Sequence, residues 1–227
     1  MNSDSEPELS ADTLQILQQV MREQQEQEER FEQLRQQALK DKAEEEAITM
    51  DVFREDWQLS QFWYDDETSE TLAREILDNT NAESLVCCIS SPTVYVKLMS
   101  MDPPGKNNMF LFEFDTRFEV YGRQFVHYDY LTPSEFRLAE ELKGSVDLVV
   151  VDPPFLNEDC LTRTLETVKF LLKEGGKIVL STGLVMAPIA AAAGLELTTF
   201  MPSHRNGLWN DFRCYVNYKP SRFTLKA

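Results

Sequence analysis

The stretch VDLVVVDPPFLNEDC, residues 146–160, sets five apolar residues around one acid and then stops on Asp152-Pro153-Pro154-Phe155. A run so rich in Val, nearly continuous in its apolar character, reads as a strand buried on both faces. Two consecutive prolines end it, because neither has an N–H to give to a ladder. Proline also pushes the residue before it toward extended geometry, which makes Asp152-Pro153 a stiff, stretched segment. Such a stop is either a plain turn or a rigid rim that holds one carboxylate, bare carbonyls and a ring around something small.

Working outward from it, apolar runs alternate with helical stretches. SLVCCIS (84–90), NMFLFEFD (108–115), QFVHYDY (124–130), GGKIVLSTG (175–183), LELTTFMPS (195–203) and FRCYVNY (212–218) read as strands. DDETSETLAREILDNT (65–80), PTVYVKLMS (92–100), PSEFRLAEELK (133–143), NEDCLTRTLETVKFLLK (157–173) and VMAPIAAAAG (185–194) read as helices. The first of these helices carries acids in its opening turn, where they oppose the positive dipole end. In the fourth, Leu161, Leu165, Val168 and Leu172 lie on one side. This alternation predicts an α/β domain over residues 51–227, with a mostly parallel sheet covered on both faces. In such sheets ligands bind beyond the carboxyl ends of the strands, near the switch point. Ser90, Ser91 and Pro92, Asp115, Asp129 and the Asp152 tetrapeptide then share one rim.

Ahead of the domain, residues 1–10 are short, polar and acidic, and are expected to be disordered. Residues 11–50 read as a Gln/Glu-rich helical extension with Leu14, Leu17, Met21, Phe31, Leu34 and Ala38 at roughly helical spacing. The apolar stripe disappears between Arg22 and Arg30, so no sustained heptad seam is present.

Net charge is −17, of which residues 1–50 contribute −8 (13 acids, 5 bases) and residues 51–227 contribute −9 (26 acids, 17 bases). A protein gripping duplex nucleic acid draws much of its affinity from neutralising phosphates, and this field opposes that. A basic protein, or a lysine-bearing substrate, suits it better. No apolar run reaches eighteen residues, so no membrane span is expected. Cys87, Cys88, Cys160 and Cys214 lack CxxC spacing and sit mostly in apolar runs, which predicts reduced core cysteines of a cytoplasmic protein. With two histidines and no HExxH, no metal site is expected.

At the rim, Asp115 reads either as an acceptor for a ribose diol or as a cap or turn residue. Asp129 reads either as an acceptor for an adenine amino group or as an exposed turn acid. The segment ESLVCCISSP (83–92) has no glycine, which argues against a GxGxxG site and a P-loop. Ser90 and Ser91 still leave a snug edge, with Pro92 starting a helix. An amine beside the tetrapeptide could donate to the Asp152 carboxylate and the Pro153 carbonyl, aligning its lone pair with an electrophile. Phe155 could face a transferring cationic group.

Taken together, Asp152-Pro153-Pro154-Phe155 resembles the D/N-P-P-Y/F motif of seven-strand, S-adenosylmethionine-dependent amino-methyltransferases. The fuller set resembles the elongation factor 1-alpha lysine methyltransferase family, once labelled N6-adenine methyltransferases: LSQFWY (59–64), ISSPTVYVKL (89–98), FEFDTRF (112–118), HYDY (127–130), DPPFLNEDCL (152–161) and DFRCYVNY (211–218). The resemblance runs from about Leu9 to Tyr218 and implies a Rossmann-like seven-strand sheet with an antiparallel last strand. It implies methyl transfer from S-adenosylmethionine to a lysine of elongation factor 1-alpha; a monomer is expected. Asp152, Pro153 and Phe155 would line the transfer site, with Asp115 on the ribose, Asp129 on the adenine and Ser90–Pro92 near the cofactor. Trp63, Tyr64, Trp209, Asn210 and Phe212 are the candidates for the substrate side, or else pack the core and rim.

Overall fold

The computed structural model describes residues 48–207 and 211–226, together with Gln19, Arg22 and Arg30, which are helical. The chain divides into two compact units, Met1–Glu45 and Glu46–Ala227. The tail 1–10 and nearly all of the extension 11–50 lie outside the described residues.

In the second unit the helices are α1 (Asp66–Asp78), α2 (Pro92–Ser100), α3 (Ala139–Leu142), α4 (Glu158–Leu171) and α5 (Ala187–Ala192). The strands are β1 (Val86–Ile89), β2 (Met109–Glu113), β3 (Phe125–His127), β4 (Val146–Val151), β5 (Leu172–Gly183), β6 (Glu196–Leu197) and β7 (Phe212–Val216). They form one sheet in the order β3-β2-β1-β4-β5-β7-β6. Pairing is parallel from β3 through to β5, and only β7 runs against its neighbours. The mostly parallel sheet and antiparallel last strand are as expected.

Local chemistry explains the elements that frame the rim. Asp65 caps α1 by accepting from Thr68 N at 2.8 Å, and Asp66 and Glu67 occupy the first turn. Asn157, five residues after Asp152, caps α4 by accepting from Cys160 N at 2.9 Å. Leu161, Val168 and Leu171 of α4 then bury against Ile89, Phe112, Val149 and Val151 of the sheet. Each such burial contributes roughly 1.5–3 kcal/mol. All four cysteines are free and buried.

Two segments depart from expectation. Residues 133–143 form only the short α3, because Leu138 takes a left-handed φ of 72°. Phe136 stacks edge-on against Phe112 (5.0 Å) and Phe170 (6.0 Å). Arg137 donates to the carbonyl of Arg123 at 2.8 Å. These tertiary contacts override local helix propensity. Of residues 195–203 only Glu196–Leu197 pair in the sheet. Beyond them the chain turns to the C-terminal segment, where Thr199 N donates to Thr224 O at 2.8 Å.

Candidate active site

Connections from β1 run outward to β2 and β3, and those from β4 run the other way to β5. The sheet therefore opens between β1 and β4, where ligands of such folds sit. A cavity of about 460 Å³ lies there, lined by residues 58–64, 90–93, Glu113, Phe114, residues 128–131, 152–156, His204 and Phe212. It is of small-molecule size. Three acids line it, Glu113, Asp129 and Asp152, and no Lys or Arg does among the described residues.

The strand ends hold the rim in place. Ser90 N donates to Phe112 O at 2.8 Å and Asp152 N donates to Ile89 O at 3.1 Å, so β1 bridges both neighbours at its last turn. Ser90 has a φ of 48°, a left-handed conformation unusual for a residue with a Cβ. It makes the tight turn for which related folds use glycine. Ser91 precedes α2 without capping it, and its buried hydroxyl has no hydrogen-bond partner. Such a group in a cavity wall awaits a ligand.

Asp152 is half-buried. Burial pushes its carboxyl up to about 7, against a smaller opposing effect of Tyr64. The register that pairs Val151 with Leu180 sets Asp152 beside Ser181. The hydroxyls of Ser181 and of the buried Tyr64 both lack a hydrogen-bond partner. Burial first, and then the Asp152 charge, hold the Tyr64 phenol well above its ordinary range. Tyr64 nonetheless sits against both the Asp152 carboxylate and Ser181, polar contacts that fall short of full hydrogen-bond geometry. Pro153 is buried, and Phe155 is 37% exposed with its ring edge-on to Tyr130 at 5.9 Å.

Not every predicted residue arrives where expected. Asp115 is not among the residues lining the cavity. Its carboxylate caps the following turn by accepting from Arg117 N at 2.9 Å, pairs with the Arg117 guanidinium at 2.6 Å, and accepts from Gln61 Nε2 at 2.8 Å. The acid is consumed in tying the LSQFWY segment to the end of β2. Glu113, two residues earlier and the last of β2, lines the cavity instead. Burial, reinforced by the Asp115 charge, pushes it up to about 7 although Phe114 N and Asp115 N donate to it at 2.9 and 3.2 Å. Two acids two apart in FEFD were visible in the sequence. Which of them faces the cavity depended on Arg117 and Gln61.

Asp129 lines the cavity, with its carboxylate accepting from Leu131 N at 2.9 Å. Trp63 also lines it, but its indole donates to Phe53 O at 2.9 Å and meets Phe118 edge-on, so its ring anchors the segment in the core. Tyr64 and Phe212 line one wall through His204, whose ring lies 4.9 Å from the first and 4.8 Å from the second. Burial lowers the pKa of His204, which leaves its ring neutral at pH 7. Trp209 and Asn210 lie outside the described residues. His204, Tyr130 and Leu131 were missed as wall residues. The bridge between Tyr64 and His204 joins segments 140 positions apart, beyond the reach of any local pattern.

The cavity fits S-adenosylmethionine. A cationic ligand suits two carboxyls strained toward protonation, and the orphaned Ser91 hydroxyl offers a polar contact.

A family model described as probable N6-adenine methyltransferase matches residues 55–220. The human protein EEF1A lysine methyltransferase 1 is 40% identical over 96% of this chain and 95% of its own. Its Gallus gallus namesake is 41% identical, covering 96% of both chains. The Saccharomyces cerevisiae protein-lysine N-methyltransferase EFM5 is 40% identical over 96% of this chain and 95% of its own. The chain belongs to this methyltransferase family, and the matched span contains every described wall of the cavity.

Proposed function

We propose that this protein transfers a methyl group from S-adenosylmethionine to a lysine ε-amine of elongation factor 1-alpha. The observation that carries this reading is the pairing of Asp152-Pro153-Pro154-Phe155 with a cavity lined by three acids and no Lys or Arg among the described residues. When bound, the cofactor supplies an electrophilic methyl on a positively charged sulfur.

The chain's own residues have three tasks. Asp152 and the Pro153 carbonyl accept from the target amine and aim its lone pair. The ammonium must first shed a proton, since its ordinary pKa is about 10.4. A carboxyl held near neutrality takes that proton and returns it to solvent, while burial lowers the amine toward it. Ser90, Ser91 and Asp129 edge the cofactor side, and Glu113 faces it where Asp115 was expected. Phe155 and Tyr130 wall the transfer point from water.

The family description names adenine, the relatives name protein lysine, and charge favours the second. A strand of nucleic acid would bring phosphates to a domain of net −9 whose cavity has an acidic lining.

A transfer assay with labelled S-adenosylmethionine tests this. Purified elongation factor 1-alpha and adenine-containing duplex DNA are offered separately to wild type and Asp152→Ala. Label on a protein lysine, lost in the variant, is the expected result. Label on DNA would overturn the charge argument, and label on neither would point to a binding module.

A further inference from the structure

Gln58 to Tyr64 wall the cavity without a break, and they belong to a strap, residues 53–64, that precedes α1. From Asp56 to Gln61 the strap's backbone closes on itself. Leu59 N and Gln61 N donate to Asp56 O at 3.0 and 3.1 Å, and Ser60 N donates to Trp57 O at 3.2 Å. Ser60 turns there with a left-handed φ of 53°. A loop bonded to itself gains no place on the sheet from those bonds, so side chains have to fix it.

Arg117 fixes it, although Arg117 is not among the residues lining the cavity. Its Nε donates to the two Asp115 carboxylate oxygens at 3.0 and 2.9 Å. Its Nη2 donates to Gln61 Oε1 at 2.9 Å and to Arg54 O at 3.1 Å. Gln61 completes the clasp by accepting from Asp56 N at 3.0 Å and donating to Asp115 at 2.8 Å. Next along the chain, Phe118 stacks on Phe53 at 4.2 Å. Asp115 is only 5% exposed, so this charge-assisted fork acts where water does not compete. Just before the strap, Asp51 pairs with Arg205, but its side chain is 79% exposed and such a pair holds far less. Arg117 thus grips the strap at Gln61, and three residues later Tyr64 lies against Asp152. Resting on the reading of the cavity as an S-adenosylmethionine site, we propose that Arg117 is a positioning residue for methyl transfer. By clasping Asp115, Gln61 and the Arg54 carbonyl together it keeps this wall of the cavity shut and Tyr64 in place beside Asp152. A lysine there would keep the charge beside Asp115 and lose the planar fork that reaches three partners at once.

Arg117→Ala and Arg117→Lys in the full-length protein test this. Tryptic cleavage after Arg54, followed as the fragment that begins at Glu55, reads how often the strap opens in the ligand-free protein. In Arg117→Ala that cleavage should be about tenfold faster, and the Kd for S-adenosylmethionine, measured by calorimetry, should rise about tenfold. At saturating cofactor kcat should fall about tenfold as well, because Tyr64 no longer holds its place beside Asp152. Arg117→Lys should recover most of any melting temperature lost in Arg117→Ala, and little of the cofactor affinity. Arg205→Ala, which removes only exposed ion pairs, should match wild type in both cleavage and Kd. Unchanged cleavage at Arg54 in Arg117→Ala, or an unchanged Kd, would overturn the clasp. Equal effects in Arg205→Ala would overturn it too. So would an equal rise in cleavage at Lys173, near the start of β5, by showing that the whole domain has loosened. If wild type itself binds no S-adenosylmethionine, the reading of the cavity fails first, before any variant is compared.

Discussion

Lowering the pH from 8 to 6 should weaken binding of a cation in this cavity far more than ordinary carboxylates allow. Glu113 and Asp152 both sit at about 7, against ordinary values of 4.5 and 3.8. A carboxyl with that pKa is about nine-tenths ionised at pH 8 and about one-tenth ionised at pH 6. Affinity should therefore drop about tenfold if one of the two must ionise to receive the ligand, and about a hundredfold if both must. Tenfold corresponds to about 1.4 kcal/mol. Carboxylates at their ordinary values would leave the affinity flat over this range. Calorimetric titration with S-adenosylmethionine at half-unit pH steps measures the slope. S-adenosylhomocysteine is the control, because it shares every group except the charged sulfur, and its slope should be shallower. A flat profile between pH 5.5 and 8, or equal slopes for the two ligands, would refute the reasoning. The ligand-free protein should respond in the opposite sense. A carboxyl whose folded pKa is raised binds its proton more tightly folded than unfolded, so these two groups stabilise the fold as pH falls from about 7 toward 4. The melting temperature without ligand should rise over that interval until other groups titrate.

Three further outcomes follow from the packing. Glu75→Ala should cost about 3 kcal/mol, read as a melting temperature about 6–12 °C lower, because buried Glu75 accepts from Tyr218 Oη, Ser221 N and Arg222 N and holds the C-terminal segment to α1. Gly105→Ala should destabilise by at least ~2 kcal/mol in urea unfolding, since φ is +80° and a Cβ would fall 2.3 Å from Ala82 O. Tyr64→Phe should slow methyl transfer about tenfold or more with cofactor affinity retained, because the buried hydroxyl lies against Asp152 and holds its carboxyl lower than burial alone would. Unimpaired transfer would remove Tyr64 from the site.

Much of the fold was legible because it depends on periodicity. VDLVVVD and SLVCCIS are apolar without interruption, and only a strand covered on both faces buries such a run. The stop at Asp152 was legible for a local reason, since proline cannot extend a ladder whatever surrounds it. The placement of Ser90, Ser91, Pro92, Asp129 and the tetrapeptide on one cavity followed from strand polarity alone.

What only the tertiary structure decided were choices between locally equivalent residues. FEFD presents two acids, and the one that faces the cavity is settled by Arg117 and Gln61, which occupy Asp115 and leave Glu113 inside. Trp63 and Tyr64 both line the cavity, and only the fold shows that the Phe53 carbonyl ties the Trp63 indole into the core. His204 reaches the site through a bridge to Tyr64, and Asp152 meets Ser181 through the β4–β5 register. Sequence determined what each segment could become, because backbone sterics and apolar spacing act over a few residues. The fold decided which groups lose water together, because desolvation and unpaired hydroxyls arise only when distant segments close around the same space.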